Sequence, residues 1–406
     1  MDKIDELLSR GVDKIYPSKE ELEKVLRSGK KLKLYQGFDP TGTQLHIGHM
    51  VGLRKLAQWQ KLGHHVIFLI GDGTGQAGDP SGKTTGRNRF MTREELRSNA
   101  KDYVMQARKI IDFDAENVEI LYNGDWLNKL TLVDILELMK HFTLGQIAER
   151  DLFVERKKKG EEINYRESFY PLLQAYDSVA MDVDLELGGT DQTFNMLQGR
   201  KLMKSMKNKD KFVMTTPLLT DSSGVKIGKT EGNVVALADK PYDLFGKIMA
   251  LGDDVIVKGL EYLTDVPMDE VKNIQSKLEE RENPVEYKKL LAFEIVKQLN
   301  SEKEAKAAQE YFEKTVEEHQ VPTSAPSISL PRSFISGATI AQGAVKVGLA
   351  QSISDVKVTA RQGGLSADGK KIENPNLPLD SLFMNKDEVI LKRGKFKYVK
   401  VKKQDE

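Results

Sequence analysis

The sequence predicts an α/β protein in three parts: a domain built on a parallel sheet, a helical domain, and a small α+β domain at the C-terminal end. Three observations predict it. Between residue 30 and about 220, short apolar runs alternate with amphipathic stretches, the rhythm of βαβ units. From about 240 to 318 the pattern is helical. A Pro/Ser-rich stretch, VPTSAPSISLP at 321–331, reads as a linker before short strands and turns. The expected domains are therefore 1–225, 226–320 and 332–406, with the linker between the last two.

LKLYQGF predicts the first strand of the sheet domain, a helix follows from about Leu45 to Leu62, and HVIFLI reads as a buried strand. A capping box, Thr92-Arg93-Glu94-Glu95, opens the next helix, and VEILYN gives a strand near 118–123. In the helical part, Asn283-Pro284 starts a helix with Tyr287, Leu291, Ile295 and Leu299 on one face. Near the end, Phe396, Tyr398 and Val399 stand among Lys395, Lys397 and Lys400. That pattern predicts strands exposing basic residues, either a solvated terminal hairpin or a face for a polyanion.

Composition narrows the function classes. With 62 Lys+Arg against 61 Asp+Glu, the whole chain is no general polyanion binder, although Lys386–Glu406 is locally basic. Zero cysteines exclude disulfides, thiolate zinc sites and cysteine nucleophiles. No run approaches the roughly 18 apolar residues of a membrane span. The opening MDKIDELLSRGV is a mixed-charge amphipathic helix and not an export signal, so a cytoplasmic location is expected.

GDGTGQAGDPSGKT, residues 71–84, contains two partial phosphate signatures. Gly73, Gly75 and Gly78 spell G-x-G-x-x-G, and Gly82-Lys83-Thr84 ends a near P-loop. Each needs a helix to begin inside the motif. Pro80 interrupts the first, TGRNR follows the second, and the nearest helix start is Thr92. A dehydrogenase or P-loop ATPase is thus disfavoured, and the segment reads as a long basic loop in which Lys83 and Arg87 can meet a phosphate.

GFDPTGTQLHIGHM, residues 37–50, runs from a strand into a helix and carries two of the six histidines, His46 and His49. Three apart, they share a face of the first turn. No third ligand at telling spacing follows, so no metal site is expected. A plain histidine pair and a phosphate-binding helix start beside Thr41 and Gly48 both remain open. Downstream, DSSGVKIGKTEGN places Lys226, Lys229 and Thr230 on a flexible cationic loop.

Together these segments resemble the class I aminoacyl-tRNA synthetases. His46-Ile47-Gly48-His49 matches the family's HIGH sequence, and KIGKT, about 180 residues later, matches the KMSKS loop at both lysines. LYQGFDPTG, ESFYPLLQAYDS, LGGTDQTFN and GDPSGK with Arg87 look like the bacterial type of tyrosyl-tRNA synthetase. The last part is similar to a small RNA-binding fold shared with a ribosomal protein. The resemblance covers nearly the whole chain and implies a Rossmann-like catalytic domain.

The resemblance implies two steps: tyrosine is activated by ATP to tyrosyl-adenylate, then transferred to the 3′ end of its tRNA. Thr41, His46, Gly48 and His49 would meet the ATP phosphates, and Gly189 and Asp191 the ribose. Lys226, Lys229 and Thr230 would close on pyrophosphate, joined by Lys83 and Arg87. Tyr35 and Asp177 would hold the phenolic hydroxyl. Asp79, Tyr170 and Gln174 would take the ammonium group, with Asp39 and Gln192 completing that pocket. Tyr170, Gln174 and Asp177 have the spacing of one helix face, although Tyr170 with Leu173 reads equally as a core stripe.

Mg²⁺ is expected to accompany ATP without a protein cage of its own. Arg156-Lys157-Lys158-Lys159 is a candidate tRNA contact. A homodimer is implied, its interface drawn from Leu127, Leu130, Leu132, Ile135, Leu136, Leu138 and Phe142. Two rivals remain: a tryptophanyl enzyme of the same class, and a non-catalytic RNA-binding protein on a synthetase scaffold.

Overall fold

The computed structural model describes residues 2–79, 90–148, 151–162, 164–227, 234–317, 326–384, 386–394 and 397–404. These pack as two units, Met1–Asp239 with Leu251–Asn300, and Lys240–Ala250 with Ser301–Glu406.

The first unit is organised by a six-stranded sheet. Its strands are β1 (Lys14–Tyr16), β2 (Lys33–Phe38), β3 (His65–Ile70), β4 (Val118–Tyr122), β5 (Leu185–Gly189) and β6 (Phe212–Thr216), in spatial order β1-β6-β5-β2-β3-β4. All pairs are parallel except β1 with β6. β3 lies inside the sheet, between β2 and β4, and its apolar run fits burial on both faces: Val66 to Ile70 are at most 1% exposed. The helix Ile47–Lys61 connects β2 to β3 and buries Met50, Leu53, Leu56 and Trp59. The helix Arg93–Ala107 leads on to β4 from the expected Thr92 capping box.

Strand order reverses between β2 and β5, since β3 and β4 lie on one side and β6 and β1 on the other. Such a switch point leaves a crevice at the carboxyl ends of the strands, where ligands bind in open α/β sheets. The helix Tyr165–Met181 precedes β5 and packs against the helix Thr193–Lys207 that follows it.

The stretch 226–320, expected as one helical domain, is divided. Helices between Leu251 and Asn300 pack with the first unit, while Pro241–Met249 and Glu302–Phe312 join the second. The aromatic pairs Tyr242–Tyr311 and Phe245–Phe312 hold the latter two helices together. The expected helix after Asn283-Pro284 forms over Val285–Leu299, burying Leu291, Ile295 and Leu299.

The second unit also contains a five-stranded sheet. Its strands are β7 (Ser327–Pro331), β8 (Leu365–Ala367), β9 (Lys370–Lys371), β10 (Glu388–Arg393) and β11 (Lys397–Gln404), ordered β7-β11-β10-β8-β9. Part of the expected linker is therefore a strand: Ser327–Pro331 pairs parallel with β11. Its alternating Ile328 and Leu330 face the apolar core of this unit. On β11, Tyr398 and Val399 are buried, and Lys402 and Lys403 pair with Glu388 and Asp387. Among the described residues no helix is long and apolar enough to cross a membrane.

Candidate active site

A cavity of about 590 Å³ opens at the switch point of the first unit. It is lined by the ends of β2 and β5, the start of the helix Ile47–Lys61 and one face of Tyr165–Met181. Tyr35, Asp39, Thr41, His46, Gly48 and His49 reach it from the first βα segment. Tyr170, Gln174 and Asp177 reach it from the helix face that their spacing predicts. Asp79, Gly189, Asp191, Gln192 and Lys226 complete the set. Lys83, Arg87, Lys229 and Thr230 lie outside the described residues.

His46 caps its helix. Its Nδ1 accepts the Gly48 N–H at 3.1 Å, and its own N–H donates to His49 Nδ1 at 3.1 Å. Both Nδ1 atoms are thus acceptors, which assigns the proton of each neutral ring to Nε2. The rings lie against each other at a tilt of 43°, with centroids 3.9 Å apart. A side chain at position 48 would displace the His46 ring: a Cβ there would stand 2.9 Å from His46 Cε1. The segment after the lysine loop braces this arrangement, for Val235 O accepts the Ile47 N–H and Ala236 bridges His46.

One expectation is corrected at the glycine-rich loop. A single helical turn, Thr74–Ala77, forms inside G-x-G-x-x-G, before the expected first start at Thr92. Its N-terminus does not face outward. Asn123 Oδ1 accepts from Gly73 N at 2.8 Å and Thr74 N at 3.3 Å, so a buried side chain occupies the place a pyrophosphate takes in a dinucleotide fold. The physical reason is burial: Asn123 is 1% exposed and must satisfy its amide within the protein.

The same Asn123 donates through Nδ2 to Asp177 Oδ2 at 2.9 Å, while Trp126 Nε1 donates to Asp177 Oδ1 at 2.8 Å. Burial pushes the Asp177 carboxyl well above the usual carboxylate range, and these two donors oppose that rise. Tyr35 Oη lies 2.9 Å from Ser178 Oγ, and burial raises its phenol further above its ordinary value. Tyr170 is likewise raised by burial, then by the charges of Asp39 and Asp79.

Around the remaining carboxylates the contacts are specific. Thr74 Oγ1 donates to Asp39 at 2.7 Å and Gln192 Nε2 to Asp79 at 2.9 Å. Lys226 Nζ sits 2.7 Å from Asp191 Oδ2, so the first lysine of the cationic loop rests on the carboxylate at the end of β5. Gln174 Nε2 donates to Glu186 Oε1 at 2.9 Å, and its Oε1 is buried with no donor among the described residues. No cluster of three His, Asp or Glu side chains suited to a metal occurs among the described residues.

Sequence reasoning missed Asn123, Trp126, Ser178, Glu186 and Lys211. One signal was available for Glu186: a carboxylate midway along the central strand LELGG requires a buried partner. Two other expectations change. Arg156 is 1% exposed and pairs with buried Glu167 at 2.6 Å, so it faces inward while Lys157, Lys158 and Lys159 are exposed. Leu127 and Leu138 are buried within this chain, whereas Leu132 and Leu136 are exposed.

A Rossmann-like sheet with a HIGH-bearing helix at its switch point defines a nucleotide-handling class, and the comparisons agree. A family model described as tRNA synthetases class I (W and Y) matches residues 27–317, and the chain belongs to that family. Its relatives include the tyrosine–tRNA ligases of Thermotoga maritima, 38% identical over 97% of this chain and 96% of that one, and of Carboxydothermus hydrogenoformans, 38% identical over 98% and 97%. A C-terminally truncated mitochondrial tyrosyl-tRNA synthetase from Aspergillus nidulans superposes with a TM-score of 0.61 at 25% identity, covering 76% of this chain and 92% of that one.

Proposed function

We propose that this chain is a tyrosine–tRNA ligase that activates tyrosine with ATP and transfers it to the 3′ end of its tRNA. The observation that carries the reading is the buried Tyr35–Asp177 floor of a cavity whose rim holds His46 and His49. A phenolic hydroxyl donates to the Asp177 carboxylate and accepts from Tyr35. A substrate without that hydroxyl leaves buried polar groups unmatched, which penalises it. At the other end, the ammonium group meets Asp79, Tyr170 and the acceptor Gln174 Oε1, flanked by Asp39 and Gln192.

The tyrosine carboxylate attacks the α-phosphorus of ATP. A carboxyl O–P bond forms, the bond from the α-phosphorus to the bridging oxygen breaks, and pyrophosphate leaves. His46 and His49 donate from Nε2 to the phosphates as charge develops, with Thr41 beside them and the backbone at Gly48 kept close. Gly189 and Asp191 hold the ribose. Lys226 exchanges Asp191 for phosphate oxygen, and Lys83, Arg87, Lys229 and Thr230 are assigned to the same pyrophosphate clamp. Mg²⁺ accompanying ATP would neutralise phosphate charge, with phosphate oxygens as the hard ligands it prefers. In the second step the terminal ribose hydroxyl of tRNA attacks the adenylate carbonyl and AMP leaves.

Lys157, Lys158 and Lys159 are candidate contacts to tRNA phosphates, and the second unit is assigned to further tRNA contacts. A homodimer is proposed through the exposed apolar face of the helix Leu132–Met139, where Leu132 and Val133 are 72% and 68% exposed. A cytoplasmic location, shared with its tRNA, is part of the proposal. The test is ATP–pyrophosphate exchange with each amino acid separately. Exchange with tyrosine alone is expected. Exchange with tryptophan overturns the Tyr35 and Asp177 assignments, and exchange with none overturns the enzyme reading.

A further inference from the structure

Behind the tyrosine pocket lies a buried ion pair that the mechanism above does not use. Lys211 is 0% exposed and Glu186, in β5, is 1% exposed. The Lys211 ammonium contacts the Glu186 carboxylate and donates to Ser178 Oγ at 2.7 Å. Glu186 lines the cavity beside Gln174 and Tyr35. The helix Thr193–Lys207 makes room for the cluster at Gly199, where a Cβ would stand 2.6 Å from Lys211 Nζ and 3.0 Å from Ser178 Oγ.

Buried ion pairs contribute little net stability compared with apolar side chains of the same volume. What this pair does control is the direction of hydrogen bonds. An ammonium only donates, so Ser178 Oγ is the acceptor toward Lys211. The single Ser178 proton then has two acceptors, Glu186 Oε2 at 3.3 Å and Tyr35 Oη at 2.9 Å, of which the Tyr35 contact is the shorter. With the Ser178 proton on that shorter contact, Tyr35 donates its own proton into the pocket. The resulting series runs from Lys211 through Ser178, Tyr35 and the substrate phenol to Asp177. It starts at a donor-only group and ends at a carboxylate already fixed by Asn123 and Trp126.

Glu186 does the same for the other end of the substrate. A carboxylate only accepts, so the Gln174 amide turns its Nε2 toward Glu186, which leaves its Oε1 as a buried acceptor with no donor among the described residues. An ammonium group needs an acceptor there, and the opposite amide orientation would repel it.

We propose that Lys211 and Glu186 are positioning residues that set the hydrogen-bond polarity of the tyrosine pocket. Lys211, through Ser178, makes Tyr35 a donor to the substrate phenol, and Glu186 makes Gln174 an acceptor for the substrate ammonium. The inference rests on the tyrosine reading given above.

The experiment compares the parent with Lys211→Met/Glu186→Leu, which removes both charges together, and with Ser178→Ala, which cuts the series but leaves the ion pair. Each is followed by thermal melting and by ATP–pyrophosphate exchange with tyrosine and with phenylalanine. The double variant is expected to melt near the parent temperature, with KM for tyrosine raised at least tenfold and KM for ATP within twofold. Ser178→Ala is expected to lower the tyrosine-to-phenylalanine ratio of kcat/KM about tenfold, as when a buried hydroxyl loses its donor. A folded double variant with tyrosine KM within twofold of the parent overturns the proposal. So does Ser178→Ala with an unchanged ratio, whether or not the double variant folds. A parent that exchanges with no amino acid defeats the functional reading itself, and this inference with it.

Discussion

Replacing Gly48 by alanine separates the catalytic demand on the HIGH segment from its structural one. The added Cβ would stand 2.9 Å from His46 Cε1 and 3.0 Å from Nδ1, whereas relaxed carbon contacts begin near ~3.5 Å. The obstructing atoms belong to a side chain at the cavity rim, so the ring moves by roughly 0.5 Å or more and the backbone stays. That shift stretches the 3.1 Å bond from Gly48 N to Nδ1 past the useful limit of ~3.5 Å and turns Nε2 away from the phosphates. Full loss of one transition-state donor costs about 2.7–4 kcal/mol. A displaced donor loses part of that, about 1.5–3 kcal/mol, or roughly 10- to 100-fold in kcat. Stability moves far less, because the better helix propensity of alanine, about 0.5–1 kcal/mol, offsets part of the crowding. The assay is tyrosine-dependent ATP–pyrophosphate exchange beside a thermal melt. A folded Gly48→Ala protein with kcat within threefold of the parent would refute the placement of His46 at the developing charge.

Three further outcomes are expected. Because burial raises the Asp177 carboxyl, its ionised, phenol-accepting form is lost on acidification earlier than for a free aspartate; KM for tyrosine should climb below neutral pH while KM for ATP stays level, and a flat tyrosine profile down to pH 5 would count against the assignment. Lys55 is buried, its ammonium pushed down to about 7 by desolvation, and it donates to the carbonyls of Leu7 and Arg10. The unfolded chain therefore holds more protons than the folded one between pH 7 and about 10, so stability should rise with pH across that window; urea midpoints at pH 7 and 9 should show a slope that Lys55→Met removes. Arg156→Ala strands the buried Glu167 carboxylate and should cost about 3–5 kcal/mol in urea unfolding, while Lys157→Ala should leave stability within about 0.5 kcal/mol.

The sheet domain was legible because its signals are local. A continuous apolar run gives β3, a capping box gives the helix after it, and HIGH and KIGKT each lie within a few consecutive residues. Tyr170, Gln174 and Asp177 were legible from helical spacing as one helix face, and as pocket residues only through the family resemblance. The supporting residues were not, because their meaning depends on distant partners. In the sequence Lys211 is one lysine in KNKDKF, and only the pairing of β5 with β6 brings it to Glu186. Asn123 closed an ordinary strand until the fold set it between Thr74 and Asp177. The split of 226–320 was hidden for a related reason: helical periodicity reports which face is buried, not which core receives it.

If Lys226 and Asp191 serve the nucleotide as proposed, their contact gives its binding the character of an exchange. On the proposed assignment, ATP finds the ribose carboxylate occupied by a lysine that the phosphates themselves will need. Its measured affinity is then a difference between two electrostatic contacts and not the strength of either. One arrival both uncovers the sugar site and releases the cation that screens the triphosphate, so the loop is timed by the ligand it serves. On the same assignment, salt acts on entry and on retention in opposite senses: it loosens the resident lysine and eases entry at the sugar end, while weakening the grip on the phosphates.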